Sequence, residues 1–312
     1  MSTKILVIGA GELGTQVLHS LASHPNRKED TSISVLLRPS TIASTDPTKH
    51  AELTTLRHLS ITLIPADIAA ATEPDLASIF TNYDTIISCT GFAAGRGTQI
   101  KLARAVLAAR VPRYIPWQFG VDYDVIGRGS AQPLFDEQLD VRDLLRRQDS
   151  VAWAIISTGM FMSFLFEPTF GVVDFGARRV VALGGWGNRV SVTAVEDIGR
   201  FTAEIVLGQR GGAWWQSRGG GVVRVAGDTV SYARLAEVVE GVMGTEFQRG
   251  VRNVQAARED LQREPGNGLY KYQVVFGEGR GVAWDLEETW NWKVGMKGVS
   301  LEEWARKNLR VR

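Results

Sequence analysis

Three glycines carry the first chemical signal in this chain. Gly9, Gly11 and Gly14 stand at G-x-G-x-x-G spacing in ILVIGAGELGTQVLHSLASH. Before them, residues 5–8 form a short apolar run fit for a strand buried on both faces. After them, Val17, Leu18 and Leu21 recur at helical spacing. A strand, a glycine turn and a helix in this order make a cradle for a dinucleotide pyrophosphate. Gly9 permits the tight turn, Gly11 lets backbone approach the phosphates, and Gly14 lets helix and strand pack closely. Glu12 and Leu13 begin the helix, whose N-terminus offers free N–H groups and the positive end of its dipole. The competing reading is an ordinary glycine turn.

The second strand, in SISVLLRPST, bears on which dinucleotide. It ends in Arg38, where an NAD site places an acidic residue for the ribose 2′-hydroxyl; Glu29 and Asp30 lie before the strand, at the wrong end. An arginine there suits a 2′-phosphate, so NADPH/NADP is the expected cofactor. Lys49 is a second candidate cation for it, or a solvated loop lysine. Cys89, Thr90 and Gly91 end the fourth strand, DTIISCTG, and are expected beside the cofactor. With no His or second Cys next to it, Cys89 reads as a structural thiol.

LFDEQLDVRDLL, residues 134–145, raises a different question. Wound as a helix, it gathers Leu134, Phe135, Leu139, Val141, Leu144 and Leu145 on one apolar arc, and Gln138 falls near the centre of that arc. Two readings stand: a buried amide with satisfied hydrogen bonds, or a residue aimed into a site. Tyr123 and Asp122, in QFGVDYD, are the nearest acid/base candidates, or else a loop tyrosine and a capping aspartate. All four histidines (His19, His24, His50, His58) lie in the dinucleotide-binding half.

The elements that must hold these groups alternate strand and helix as far as VAWAIIS at 151–157. This predicts an α/β fold, an open, doubly wound parallel Rossmann sheet over residues 1–157. Residues 158–312 are expected to form a smaller C-terminal α+β substrate-binding part, with segments near 190–207 and 222–227 returning to the Rossmann sheet. Met160, Phe161 and Phe164 there, with Trp117, Gln118 and Trp186, are candidate substrate contacts; core packing is the alternative for the aromatic ones. The segment 263–284, rich in glycine and aromatics, reads as a loop over the cleft.

Bulk properties exclude several classes. Net charge is +1, from 35 basic and 34 acidic residues, which invites neither nucleic acid nor an anionic membrane. A single cysteine allows no internal disulfide and suggests a reducing compartment. No stretch approaches a membrane span, and no leader precedes the first strand, so a cytoplasmic protein is expected. No metal-ligand cluster is visible, and composition leaves the oligomeric state open.

Taken together, PWQFGVD, FDEQLDVRDLL, IISTGMFMSF and VTAVEDIG resemble, in order and spacing, the isoflavone reductase-like branch of the NmrA-like atypical short-chain dehydrogenases. That branch includes phenylcoumaran benzylic ether and pinoresinol-lariciresinol reductases and many fungal aromatic alcohol reductase-like proteins. The resemblance covers nearly the whole chain and is firmest over 113–165. It implies an NADPH-binding Rossmann domain, a smaller substrate domain, and a cleft between them where an aromatic substrate meets the nicotinamide. Two departures stand out. The glycine loop, GAGELG, is one residue shorter than the G-x-x-G-x-x-G usual in plant members. The plant helix motif F-x-x-K-x-x-x-R, whose lysine is the general acid/base, is matched here by Phe135, Gln138 and Arg142. The inward amide therefore occupies the lysine position, while the cofactor-contacting arginine is retained as Arg142. No tyrosine has a lysine four residues on, so the usual short-chain dehydrogenase pair is absent.

These readings converge on an NADPH-dependent reductase of a small aromatic or alkaloid-like metabolite, with Gln138 and Tyr123 as candidate catalytic residues. The alternatives are a non-redox isomerase or cyclase that uses NADP to shape its pocket, and an NADP(H)-sensing regulator.

Overall fold

A computed structural model describes residues 3–91, 95–209 and 220–309. The chain divides into two compact units, neither continuous in sequence. The first comprises Met1–Gln118, Glu137–Ile156 and Ile198–Val223; the second comprises Phe119–Asp136, Ser157–Asp197 and Arg224–Arg312.

The first unit begins β1 (Lys4–Ile8), α1 (Glu12–Ala22), β2 (Ser32–Leu37), α2 (Pro39–Ile42), α3 (Pro47–His58) and β3 (Ile61–Pro65). It continues α4 (Glu73–Phe80), β4 (Thr85–Ser88), α5 (Thr98–Ala108), β5 (Arg113–Ile115) and β6 (Ala152–Ser157). The strands lie in the order β6-β5-β4-β1-β2-β3, with Gly221–Arg224 added beside β6 to make a seven-stranded sheet. All pairings from β3 across to β6 are parallel. β1 is the pivot, with Val7 opposite Val35 on one side and Ile87 on the other.

Parallel strands covered by helices on both faces must be apolar throughout, and Ile5, Leu6, Val7 and Ile8 are wholly buried. Leu6, Ile8 and Ile86 share one core with Leu102 and Val106 of α5 and with Val141 and Leu145 of the helix Leu134–Arg146. Each such side chain contributes ~1.5–3 kcal/mol on burial, which offsets the roughly 1–2 kcal/mol of backbone entropy lost per ordered residue. The doubly wound Rossmann architecture expected from the strand–helix alternation is observed.

The second unit holds two three-stranded sheets. Arg189–Thr193 lies between Met160–Phe161, to which it is parallel, and Asp228–Ser231, to which it is antiparallel. Arg179–Leu183 lies between Val173–Asp174 and Gln248–Arg252. This corrects one expectation: the strand near 190 does not return to the Rossmann sheet. Its alternating residues pair locally with Met160–Phe161, and the chain rejoins the first unit only at Ile198. Gly221–Arg224, by contrast, does join the seven-stranded sheet.

A second correction concerns 263–284. Residues Gly268–Glu278 form a helix with Val274, Val275 and Phe276 buried. The glycines that suggested a loop mark its limits. Gly268 is its first residue, behind an Asn267 cap that accepts from the N–H groups of Leu269 and Tyr270. Gly279 ends it in the left-handed conformation at φ 72°. Among the described residues no helix is long and apolar enough to cross a membrane.

Candidate functional site

In a doubly wound sheet ligands lie beyond the carboxyl ends of the strands, where the strand order reverses. Here that point is between β1 and β4, and a cleft of about 510 Å³ opens there. Gly9, Gly11, Arg38, Lys49, Cys89, Thr90 and Gly91 all line it. The structure thus brings together seven of the residues singled out for the cofactor.

The three glycines differ in what they do. Gly9 holds φ 92°, and a Cβ there would lie 2.6 Å from the Thr90 hydroxyl. A Cβ on Gly14 would lie 2.1 Å from the Gly9 carbonyl oxygen, so Gly14 lets α1 seat directly on the turn. Gly11 is unconstrained: its φ is −79°, and a Cβ would meet nothing within 4 Å. No side chain caps α1 at Gly11, so the first-turn N–H groups remain available to an anion. Glu12 is exposed and Leu13 buried, so their backbone N–H groups are what a phosphate would meet.

Of the two cations, Arg38 is exposed at the rim and has no ion-pair partner among the described residues. Lys49 is engaged with Glu52 on its own helix. Cys89 is buried and its thiol is pushed up by desolvation, so it is inert and unsuited to nucleophilic chemistry.

A buried polar cluster lies on the helix Leu134–Arg146 and the end of β5. Gln118, Gln138 and Arg142 are each wholly inaccessible. Arg142 Nε donates to Gln118 Oε1 at 2.8 Å, and Gln118 Nε2 donates to the Gln138 carbonyl at 2.9 Å. The Gln138 side chain takes no part: neither its Oε1 nor its Nε2 has a hydrogen-bond partner. Trp117 is half-buried and packs over Gly91, where a Cβ would come within 3.0 Å of its ring.

Two neighbours escaped the sequence reading. Glu137 is buried and accepts the backbone N–H groups of Gly97 (2.9 Å) and Gln99 (2.8 Å), capping α5 from a different helix. Gln99 in turn donates to the Thr90 carbonyl at 2.8 Å. Nothing in local sequence signals a cap supplied from about forty residues away.

In the second unit an edge-to-face aromatic row joins some candidates and leaves others out. Tyr123 meets Phe135 at 4.9 Å between centroids, Phe135 meets Tyr272 at 6.0 Å, and Tyr272 meets Phe164 at 6.2 Å. Tyr123 itself is buried, and a Cβ on Gly120 would stand 2.7 Å from its hydroxyl. Asp122 is committed to Arg224, whose Nη2 and Nε donate to one carboxylate oxygen at 2.7 and 3.2 Å. Met160 is buried and Phe161 half-buried in their short strand. Trp186 lies outside the row, its ring beneath the guanidinium of Arg249. Tyr272 was hidden by reading its segment as a loop; the helical spacing of Tyr272, Val275 and Phe276 is the signal that finds it.

The fold and the glycine-lined cleft define a dinucleotide-binding α/β protein. The chain belongs to the NmrA-like family, which matches residues 1–304. It is 46% identical over 307 residues to an NmrA-like family domain-containing oxidoreductase of Gibberella moniliformis, covering 98% of both chains. Its fold is similar to that of leucoanthocyanidin reductase from Vitis vinifera, solved with NADPH (TM-score 0.78, 18% identity, 99% of this chain and 100% of that one). It is also similar to an NADPH-dependent quinone oxidoreductase from Escherichia coli complexed with NADPH (TM-score 0.72, 19% identity, 98% and 99% covered).

Proposed function

We propose that the protein is an NADPH-dependent reductase of a small aromatic or alkaloid-like metabolite, attacking an electrophilic carbon of C=N, C=C or quinone-methide type. The residues present fit the cofactor: an uncapped helix N-terminus behind Gly11, open space at that glycine, and an unpaired arginine at the rim. Residues 9–14 hold the pyrophosphate, Arg38 the 2′-phosphate, and Thr90 and Gly91 the remainder, with Arg142 buried behind them in the cluster with Gln118. NADPH, when bound, supplies a hydride.

The observation that carries this reading is the cleft lined by Gly9, Gly11, Arg38, Thr90 and Gly91 at the point where the strand order reverses. At Gln138 an amide is sealed from water with both polar atoms unpaired, at a cost of roughly 1–3 kcal/mol. Its carboxamide can donate and accept hydrogen bonds but cannot titrate. At the position where the plant reductases carry their acid/base lysine, it moves no proton, and it meets reactants only when the packing around it opens. Rate then comes from positioning, which suits a carbon already electrophilic.

The lack of a titrating group at 138 equally favours a second reading, in which bound NADP shapes a pocket for isomerisation or cyclisation. The two are separated by incubating the protein with [4-²H]NADPH and a panel of aromatic iminium and quinone compounds. A reductase oxidises the cofactor and leaves deuterium on carbon. Conversion without loss of NADPH supports the second reading, and no binding of NADPH at all overturns both.

A further inference from the structure

Two side chains on the first turn of α5 leave their own helix to bind main-chain carbonyls, and those carbonyls belong to two walls of the cofactor cleft. Lys101 Nζ donates to the carbonyls of Ile68, Ala71 (3.0 Å) and Ala69 (3.4 Å), in the loop that follows β3. An ammonium has three hydrogens to give, and all three are spent here. Ala66, Asp67, Ile68 and Ala69 of the same loop line the cleft. Gln99 Nε2 donates to the Thr90 carbonyl at 2.8 Å, beyond the end of β4, where Thr90 and Gly91 line the cleft. In the sheet β4 lies on one side of β1, with β2 and β3 on the other.

Neither Gln99 nor Lys101 lines the cleft, so each acts on it through the backbone it holds. The turn that carries them is itself fixed. Glu137 accepts from the N–H groups of Gly97 and Gln99, which ties the start of α5 to the helix Leu134–Arg146. The loop after β3 is closed mainly on itself: Asp67 Oδ1 accepts from the Ala69 N–H at 2.9 Å, and the Asp67 carbonyl accepts from the Ala71 N–H at 2.8 Å. Lys101 is what joins that loop to a helix.

We propose that the first turn of α5 is a bracket for the cofactor, in which Lys101 positions the wall for the adenosine half of NADPH and Gln99 the wall for the nicotinamide half. The bracket rests on the assignment of the cleft to NADPH made above. With the pyrophosphate at the glycine turn after β1, Arg38 at the end of β2 keeps the adenosine half on the β2–β3 side, and the nicotinamide half crosses towards β4. Walls already ordered bind more tightly than walls the cofactor must order for itself. Each of the two positioning residues therefore governs one half of the dinucleotide and not the other.

The test compares full-length parent protein with Lys101→Met and Gln99→Met, which keep most of the side-chain bulk and remove the donor. Calorimetry measures affinity for NADPH and for adenosine 2′,5′-bisphosphate, which carries the adenosine and its 2′-phosphate without the nicotinamide. Amide hydrogen exchange at Ala69 and Ala71 and the melting temperature are followed alongside. Lys101→Met should weaken both ligands by about 10-fold and speed exchange at the two alanines. Gln99→Met should weaken NADPH by about the same factor and leave the bisphosphate unchanged. Should either variant fail to fold, Lys101→Arg and Gln99→Asn repeat the measurement: a planar guanidinium cannot place one nitrogen among three carbonyls, and the shorter amide cannot reach Thr90. Variants whose affinities match the parent overturn the bracket and leave the NADPH reading standing, even where they melt lower. So does a glutamine variant that weakens the bisphosphate as much as NADPH. A parent that binds neither ligand removes both proposals.

Discussion

Gln118 donates its side-chain amide to the backbone carbonyl of Gln138 at 2.9 Å, while the Gln138 side chain makes no hydrogen bond at all. The backbone at 138 is thus fixed from the end of β5, and the same glutamine holds Arg142 one turn further on. Gln118→Leu would leave a dry carbonyl and a guanidinium N–H without this partner. Stability should fall by roughly 3 kcal/mol, a value set by the charged donor. Urea unfolding measures it, and an unchanged midpoint would show that Gln118 positions nothing.

Gly11 offers a cleaner probe of the cleft than Gly9 or Gly14. A side chain at Gly11 meets no protein atom within 4 Å and needs no unusual φ. Gly11→Val should therefore keep the parent melting temperature and lose NADPH binding by on the order of 100-fold or more, since the valine occupies the phosphates' place. Normal NADPH titration by the folded variant would move the cradle away from residues 9–14.

Arg38 and Lys49 both line the cleft, but only Lys49 is engaged by a neighbouring carboxylate. Arg38→Ala should lose most of the preference for NADPH over NADH, on the order of 1–3 kcal/mol for a charge-assisted contact. Lys49→Ala should change it little. Affinities for both cofactors decide the matter, and a parent protein without preference would refute the role of Arg38.

Acid should weaken the second unit through its paired carboxylates. The backbone N–H of Ser300, helped by Lys297 and the Ser300 hydroxyl, holds the Glu303 carboxyl at about 2 instead of 4.5. Arg249 likewise lowers Glu240, and Arg252 lowers Asp260. A lowered carboxylate stabilises the fold above its ordinary value and loses that effect as pH falls through the folded one. Thermal stability should then decline between about pH 4.5 and pH 2, and Glu303→Gln should flatten that decline while melting lower at neutral pH. Parallel pH curves for the two proteins would contradict the assignment.

Periodicity and glycine spacing were enough to read the Rossmann sheet and its cradle, because both are local. The strands near the N-terminus are apolar throughout, and the turn at residues 9–14 adjoins the strand and helix it joins. What was not legible depends on distant pairing. Residues 119–136 belong to the second unit because Asp122 meets Arg224 and Phe135 meets Tyr272, contacts that no local pattern encodes. The inward face of Gln138 could be read from the helix wheel, whereas its lack of partners could not. The helix Gly268–Glu278 was obscured by glycines that serve as its ends.

The most direct measurement is on Gln138→Met, which keeps the volume of the side chain and removes both unpaired polar atoms. If the amide is held unsatisfied for reactants, the cofactor-free variant should melt at the parent temperature or above it. The relief is ~1–3 kcal/mol, the cost of a buried unpaired group. Turnover or NADPH affinity should fall about 10-fold at the same time, as the loss of one oriented hydrogen bond requires. A variant that melts lower, with affinity and turnover of the folded protein unchanged, would make Gln138 a core amide and contradict the account.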